Sequence, residues 1–167
     1  LIGHLRNNQS YSKKDTISSL SLFAGNAIIL LFSNSLFYIF YSFLYQYRIF
    51  ELDTDIWGWI LHFIAVDFIF YWFHRASHRV RILWASHVNH HSSMHLNFST
   101  ALRQSWTGPF MRPLFYWLLP ILGFNPLIML SMGSFATIYG FWTHTEHIGK
   151  LGILEWIFVT PSHHRVH

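Results

Sequence analysis

Residues 57–78 read WGWILHFIAVDFIFYWFHRASH, and this stretch decides the fold. From Trp57 to Phe73 it carries one formal charge, Asp67, among apolar and aromatic side chains. It then closes on His74-Arg75-Ala76-Ser77-His78, with two imidazoles at i and i+4. Residues so spaced share a helix face. The stretch therefore predicts an apolar helix, close to the ~20 residues that span a bilayer, delivering two histidines at its end.

Outward from this stretch the histidines recur. His87, His90 and His91 form a second cluster, His144 and His147 a third, and His163, His164 and His167 a fourth. Of thirteen histidines only His4 and His62 stand apart, and these two read as structural or interfacial; His95 follows His91 by one turn and reads as a ligand or a rim residue. His163 and its neighbour His164 cannot share one helix face. Histidine is the commonest metal ligand and is mostly neutral at cellular pH. One ion takes four to six ligands, so eight or more imidazoles imply two ions. The chain has no cysteine, which leaves nitrogen and oxygen donors; all-imidazole sites suit Zn, Cu, Fe or Ni. The zinc-protease pattern H-E-x-x-H is absent, since Arg75 follows His74 and Val88 follows His87. Bis-histidine haem and mid-membrane transport sites fit poorly, because the clusters lie at the ends of apolar runs.

Composition places those runs in a membrane. The chain is 52% hydrophobic and 11% charged, against about 25% charged in soluble domains. Leu20–Tyr45 carries no charge and predicts a first span; Trp57–Phe73 predicts a second. Residues 1–19 read as a polar arm, and residues 79–112 as an interfacial stretch broken by Pro109 and Pro113. Leu114–Trp142, interrupted at Pro120 and at Gly123-Phe124-Asn125-Pro126, reads as a hairpin that dips into the membrane and returns at His144. Ten of the eleven Lys and Arg residues precede residue 20 or follow residue 74, while the 46–55 loop carries Glu51, Asp53 and Asp55. The positive-inside rule then puts the N-terminus and the histidine clusters on the cytoplasmic side. The basic excess forms no separate domain, which argues against nucleic-acid binding. Asp67, inside the second span, is costly to bury and is expected to be functional. It reads equally as an outer-sphere partner orienting a histidine or as a structural partner of Arg75 or Arg79.

The motifs H-x-x-x-H, H-x-x-H-H and the closing H-x-x-H resemble those of the fatty acid hydroxylase and sterol desaturase superfamily. So do the surrounding segments DFIFYWFHR (67–75), NFSTALRQS (97–105) and LEWIFVTPSHHRVH (154–167). The last two look most like the branch typified by alkylglycerol monooxygenases and bacterial sterol desaturases. The resemblance implies an all-α polytopic membrane protein with about four membrane-embedded segments and a cytoplasmic di-metal site. It implies two iron ions, with dioxygen as co-substrate. It also implies an external electron donor (a donor protein or a reduced pterin) and oxidation of a fatty acyl, alkyl ether or sterol lipid drawn from the bilayer. Carried over by motif, the metal ligands are His74, His78, His87, His90, His91, His144, His164 and His167. Asp67, His95, His147, His163, Glu146 and Glu155 are further candidates for the metal or its surroundings. The pattern expects one more histidine after His167, so the sequence reads as a fragment, and it expects an acidic residue where Met94 stands. Expected boundaries are an arm over 1–19, a first span and loop over 20–54, and a hydroxylase-like domain over 55–167. The rival readings are a membrane metal-binding or transport protein and a zinc-dependent hydrolase.

Overall fold

All five prolines fall after residue 108, and the first two helices are accordingly unbroken. The computed structural model describes residues 12–94 and 96–167; His4 and His95 lie outside the described residues. Helix α1 (Lys13–Tyr45) starts within the stretch expected to be a polar arm. Helix α2 (Ile56–Ser77) is capped by Asp55, whose carboxylate accepts from the Gly58 N–H at 2.8 Å. Short helices follow: α3 (Arg81–His87), a 3-10 turn (His90–Ser92) and α4 (Phe98–Ala101). Next come α5 (Gly108–Met111), a 3-10 turn (Arg112–Phe115) and α6 (Leu118–Ile121). Helix α7 (Pro126–Trp142) is capped by Asn125. A 3-10 turn (Gly152–Trp156) and α8 (Pro161–His164) complete the chain. There is no strand among the described residues.

Contacts along α1 fix the course of the later segments. Asp15 meets Arg103, the Asn26 side chain donates to the Ser105 carbonyl at 2.6 Å, and the Tyr41 hydroxyl donates to the Pro113 carbonyl at 2.5 Å. Beyond the helix, the Ile49 N–H donates to the Ile121 carbonyl at 2.8 Å. Residues 103–121 thus descend beside α1 in step with it. This descent is a chain of short turns because Pro109, Pro113 and Pro120 each remove a backbone donor and clash with a continuing helix. The expected first arm of the hairpin is therefore present as broken turns. Gly123, at φ +99°, reverses the chain where a Cβ would run into the Phe50 carbonyl. Helices α2 and α7 then run the other way, so His74, His78 and His144 arrive at the end where α1 begins.

Two helices, α1 and α2, are long and apolar enough to cross a membrane. On α1 the apolar side chains face out: Ile28, Leu31 and Ile39 are 72%, 73% and 68% exposed. Facing inward at seven-residue intervals are Ser19, Asn26 and Ser33, all buried. This is the reverse of a helix bathed in water and suits helices surrounded by lipid, where small and polar residues make the helix contacts. The apolar core joins Phe37 and Tyr41 of α1, Val66 of α2, and Tyr116, Leu119, Phe124, Ile128, Met129 and Met132 of the returning segments.

His62 ties the far ends of α2 and α7 together. It is fully buried, its Nδ1–H donates to the Gly58 carbonyl at 2.7 Å, and its Nε2 accepts from the Asn125 N–H at 2.8 Å. Both ring nitrogens are thus used, and the ring packs edge-on against Phe124. The His62→Ala variant strands a buried N–H and leaves a void. It is expected to cost about 2–4 kcal/mol, read as a lower thermal midpoint in detergent at unchanged metal content.

Candidate metal centre

Four elements deliver the imidazoles. The end of α2 carries His74 and His78; α3 and the turn after it carry His87, His90 and His91. His144 follows α7, and His164 and His167 sit on and just after α8. The eight histidines expected as ligands converge at one end of the bundle in two adjoining groups. Ligand nitrogens of His74, His78, His87 and His167 all lie within 4.8 Å of one another, and so do those of His90, His144 and His164. Nε2 of His167 is 2.7 Å from Nε2 of His74 and 2.9 Å from that of His78. His91 extends the first group, with its Nε2 3.0 Å from that of His87 and its ring 4.9 Å from His78 and 5.1 Å from His167. The groups adjoin through His87 and His90, whose rings stack at 5.6 Å, and through His164 and His167 at 5.7 Å.

Backbone carbonyls orient the second group. The His144 Nδ1–H donates to the Gly140 carbonyl at 2.7 Å. Its Nε2 is therefore a bare lone pair in the neutral ring, and it faces Nε2 of both His90 and His164 at 3.0 Å each. One lone pair cannot accept two protons well, but a cation among the three nitrogens satisfies all of them. Nitrogens bound at about 2.1 Å and roughly at right angles around one ion lie ~3 Å apart, the spacing seen here. His90 Nδ1 in turn donates to the Arg103 carbonyl at 3.3 Å.

Burial keeps these rings neutral, which frees their lone pairs. It pushes His87 and His164 down to about 3 and His91 to about 4, helped by the neighbouring imidazoles. His90 is held well below the usual histidine range by burial and then by His144. His144, His78 and His167 are lowered chiefly by burial as well, against the opposing Gly140 hydrogen bond in the case of His144. The donor set thus fits two transition-metal ions. Beside it opens a cleft of about 330 Å³, lined by His90, His91, His144, His164 and His167, with the almost fully exposed Met94 at its rim.

The remaining candidates divide. Glu155 braces α8: its carboxylate accepts from the Ser162 hydroxyl, from the Thr160 hydroxyl at 3.1 Å and from the Leu151 N–H at 3.1 Å. Those hydrogen bonds, Ser162 first, hold it below the usual carboxylate range. His163 belongs to neither imidazole group and accepts from the Thr160 N–H at 3.5 Å. It helps form the cap of the helix that presents His164. His147 and Glu146 are exposed beside the site and join neither group.

Asp67 lies apart from both imidazole groups. It is exposed and makes no hydrogen bond to an imidazole, Arg75 or Arg79 among the described residues. Two helical turns separate it from His74, a rise of ~10 Å, which is beyond the reach of a carboxylate. Arg75 instead donates to the Tyr71 hydroxyl at 3.2 Å. The Asp67→Asn variant is therefore expected to keep its full metal content, checked by elemental analysis of the purified protein. Sequence reasoning missed the orienting groups themselves, the Gly140 and Arg103 carbonyls, because a main-chain acceptor leaves no trace in residue type.

Comparison with known proteins identifies relatives. A family model described as "Fatty acid hydroxylase" matches residues 59–167. The chain is 43% identical over 156 residues to an alkylglycerol monooxygenase of Homo sapiens, covering 92% of this chain and 35% of the relative. It is 49% identical over 123 residues to the alkylglycerol monooxygenase of Xenopus tropicalis, covering 73% and 27% respectively. A very-long-chain aldehyde decarbonylase of Oryza sativa subsp. japonica is 27% identical over 165 residues, covering 87% and 25%. The chain therefore spans well under half the length of these curated relatives. No solved structure matches it.

Proposed function

The chain belongs to the fatty acid hydroxylase superfamily, in its alkylglycerol monooxygenase-like branch, and from that premise we propose that it forms the core of a membrane-bound di-iron oxygenase that hydroxylates or desaturates a lipid with dioxygen. One observation carries the reading: two adjoining all-imidazole groups at the end of helices whose outer faces are apolar. His74, His78, His87 and His167, with His91 beside them, would hold one iron. His90, His144 and His164 would hold the other. When bound, iron supplies the redox chemistry that directs dioxygen at an unactivated C–H bond.

The chain's own residues do the rest. Carbonyls of Gly140 and Arg103 hold His144 and His90 with Nε2 facing inward. Glu155 and Arg165 fix the turn that carries His164 and His167, the latter through bonds from Nη1 to the carbonyls of Thr145 at 3.1 Å and Ile148 at 2.7 Å. Four crossings supply the scaffold: α1, α2, the broken segment 108–121, and α7. The basic residues at the histidine end and the acidic 46–55 loop support a site at the cytoplasmic face, where an external donor would deliver electrons while lipid enters from the bilayer. The hydroxylase-like domain runs over 55–167, preceded by the arm and the first span.

Among lipids, an alkyl ether of glycerol is the substrate favoured by the names of the relatives. The test is turnover of a glyceryl alkyl ether by purified protein with iron, reductant and isotopically labelled dioxygen. One labelled oxygen atom is expected in the product. Iron-loaded protein that neither incorporates label into alkyl ethers, fatty acyl lipids or sterols nor introduces a double bond into them would overturn the reading.

A further inference from the structure

Arg103 is buried, 7% exposed, in a chain where charge is scarce. All three nitrogens of its guanidinium are engaged. Nε donates to the Ser19 hydroxyl at 3.1 Å, and Nη2 donates to the Asp15 carbonyl at 3.0 Å and to the Asp15 carboxylate. Nη1 donates to the Ser92 hydroxyl at 3.0 Å. Two of these partners belong to α1, and the third directly follows His91. The same residue's carbonyl accepts from His90 Nδ1 at 3.3 Å, and the side chain of Gln104 places Nε2 at the same distance from that nitrogen. Asp15 adds a second strand to the latch by accepting from the Ser93 hydroxyl at 2.6 Å.

The latch continues down α1. Trp106 Nε1 donates to the Leu22 carbonyl at 3.1 Å, and Asn26 donates to Ser105 at 2.6 Å. Residues 15, 19, 22 and 26 follow the i, i+4, i+7, i+11 rhythm of one helix face. The first turns of α1 thus form a wall against the loop and turn that aim His90. This wall lies outside residues 59–167, the span of the family match.

We propose that Arg103 is a positioning residue through which the first turns of α1 set the second metal pocket, that of His90, His144 and His164. The inference rests on the metal reading above. It follows from the fork geometry: a guanidinium offers five donors in a fixed plane and can hold a helix and a turn at once, whereas an ammonium is a point charge that cannot reproduce the fork. The pocket it serves has three nitrogens and little redundancy. The four-nitrogen pocket of His74, His78, His87 and His167 receives no hydrogen bond from Arg103.

The test counts metal per chain in purified, iron-loaded Arg103→Lys and Asp15→Asn variants beside wild type, with thermal midpoints measured in parallel. Loss of an outer-sphere partner typically costs ~10–100-fold in metal affinity. Arg103→Lys is expected to fall from about two irons to about one, and Asp15→Asn to fall in the same direction. Combining Arg103→Lys with His144→Ala should lose no further metal, while combining it with the double change His74→Ala, His78→Ala should lose both. Two irons retained in Arg103→Lys overturns the proposal. If that variant fails to fold, Asp15→Asn decides: full metal content overturns the proposal, and selective loss of one iron upholds it. A wild type that holds no metal overturns the underlying metal reading instead.

Discussion

Replacing His144 by alanine is expected to empty one metal pocket and leave the protein folded. His144 is the ligand that joins α7 to the second group, and its ring is aimed by the Gly140 carbonyl at 2.7 Å. Without it the group falls from three nitrogens to two, His90 and His164. The first group keeps all of its nitrogens. Helix α7 remains anchored by Ile128, Met129 and Met132 in the core and by its Asn125 cap. The metal content should therefore halve. Lipid turnover should drop at least ~100-fold, the upper end of what losing a mere outer-sphere partner costs. A thermal midpoint close to that of wild type would complete the expected result. Collapse of the whole fold would mean that the metal serves structure.

Acid should strip the site cooperatively. Burial, followed by mutual repulsion among the rings, holds His87, His90, His91 and His164 below the unfolded value of about 6.5. The unfolded chain thus takes up protons first as pH falls. Depressed histidines make the folded state lose stability from about pH 6.5 downward. The loss continues until the folded rings themselves titrate, at about 4 for His91 and about 3 for His87 and His164. Metal binding has the same sign, since each ligand must be neutral to coordinate. With a chelator present, metal content should be complete at about pH 7.5 and largely lost by about pH 5. The thermal midpoint should fall alongside, with a steeper fall in metal-loaded than in metal-free protein. A metal content flat across this range would show that the imidazoles are not the ligands.

Much of this was legible in the residues. Unbroken apolar runs before the first proline gave α1 and α2, and histidines at three- and four-residue spacing gave the faces that meet. Lys13 and Asp15 look like solvent-facing residues in the sequence, and only the partnership of Asp15 with a buried arginine explains why α1 begins at Lys13. The helix face that Asp67 shares with His74 is a statement about angle alone, and two turns of axial rise separate the two residues. Arg103 stands in a family-like segment, but its role needs the fold, since its three partner residues lie on two separate segments that only the packed chain brings together. The division of eight histidines into two pockets also needed three dimensions, because neighbours such as His90 and His91 go to different sides.

The most direct test of the central claim is the metal itself: elemental analysis of purified protein, paired with Mössbauer spectroscopy on isotopically enriched iron. Two adjoining all-imidazole pockets predict about two irons per chain, each in a nitrogen-rich environment. Stoichiometric zinc, a single iron, or no bound metal in correctly folded protein would contradict the account.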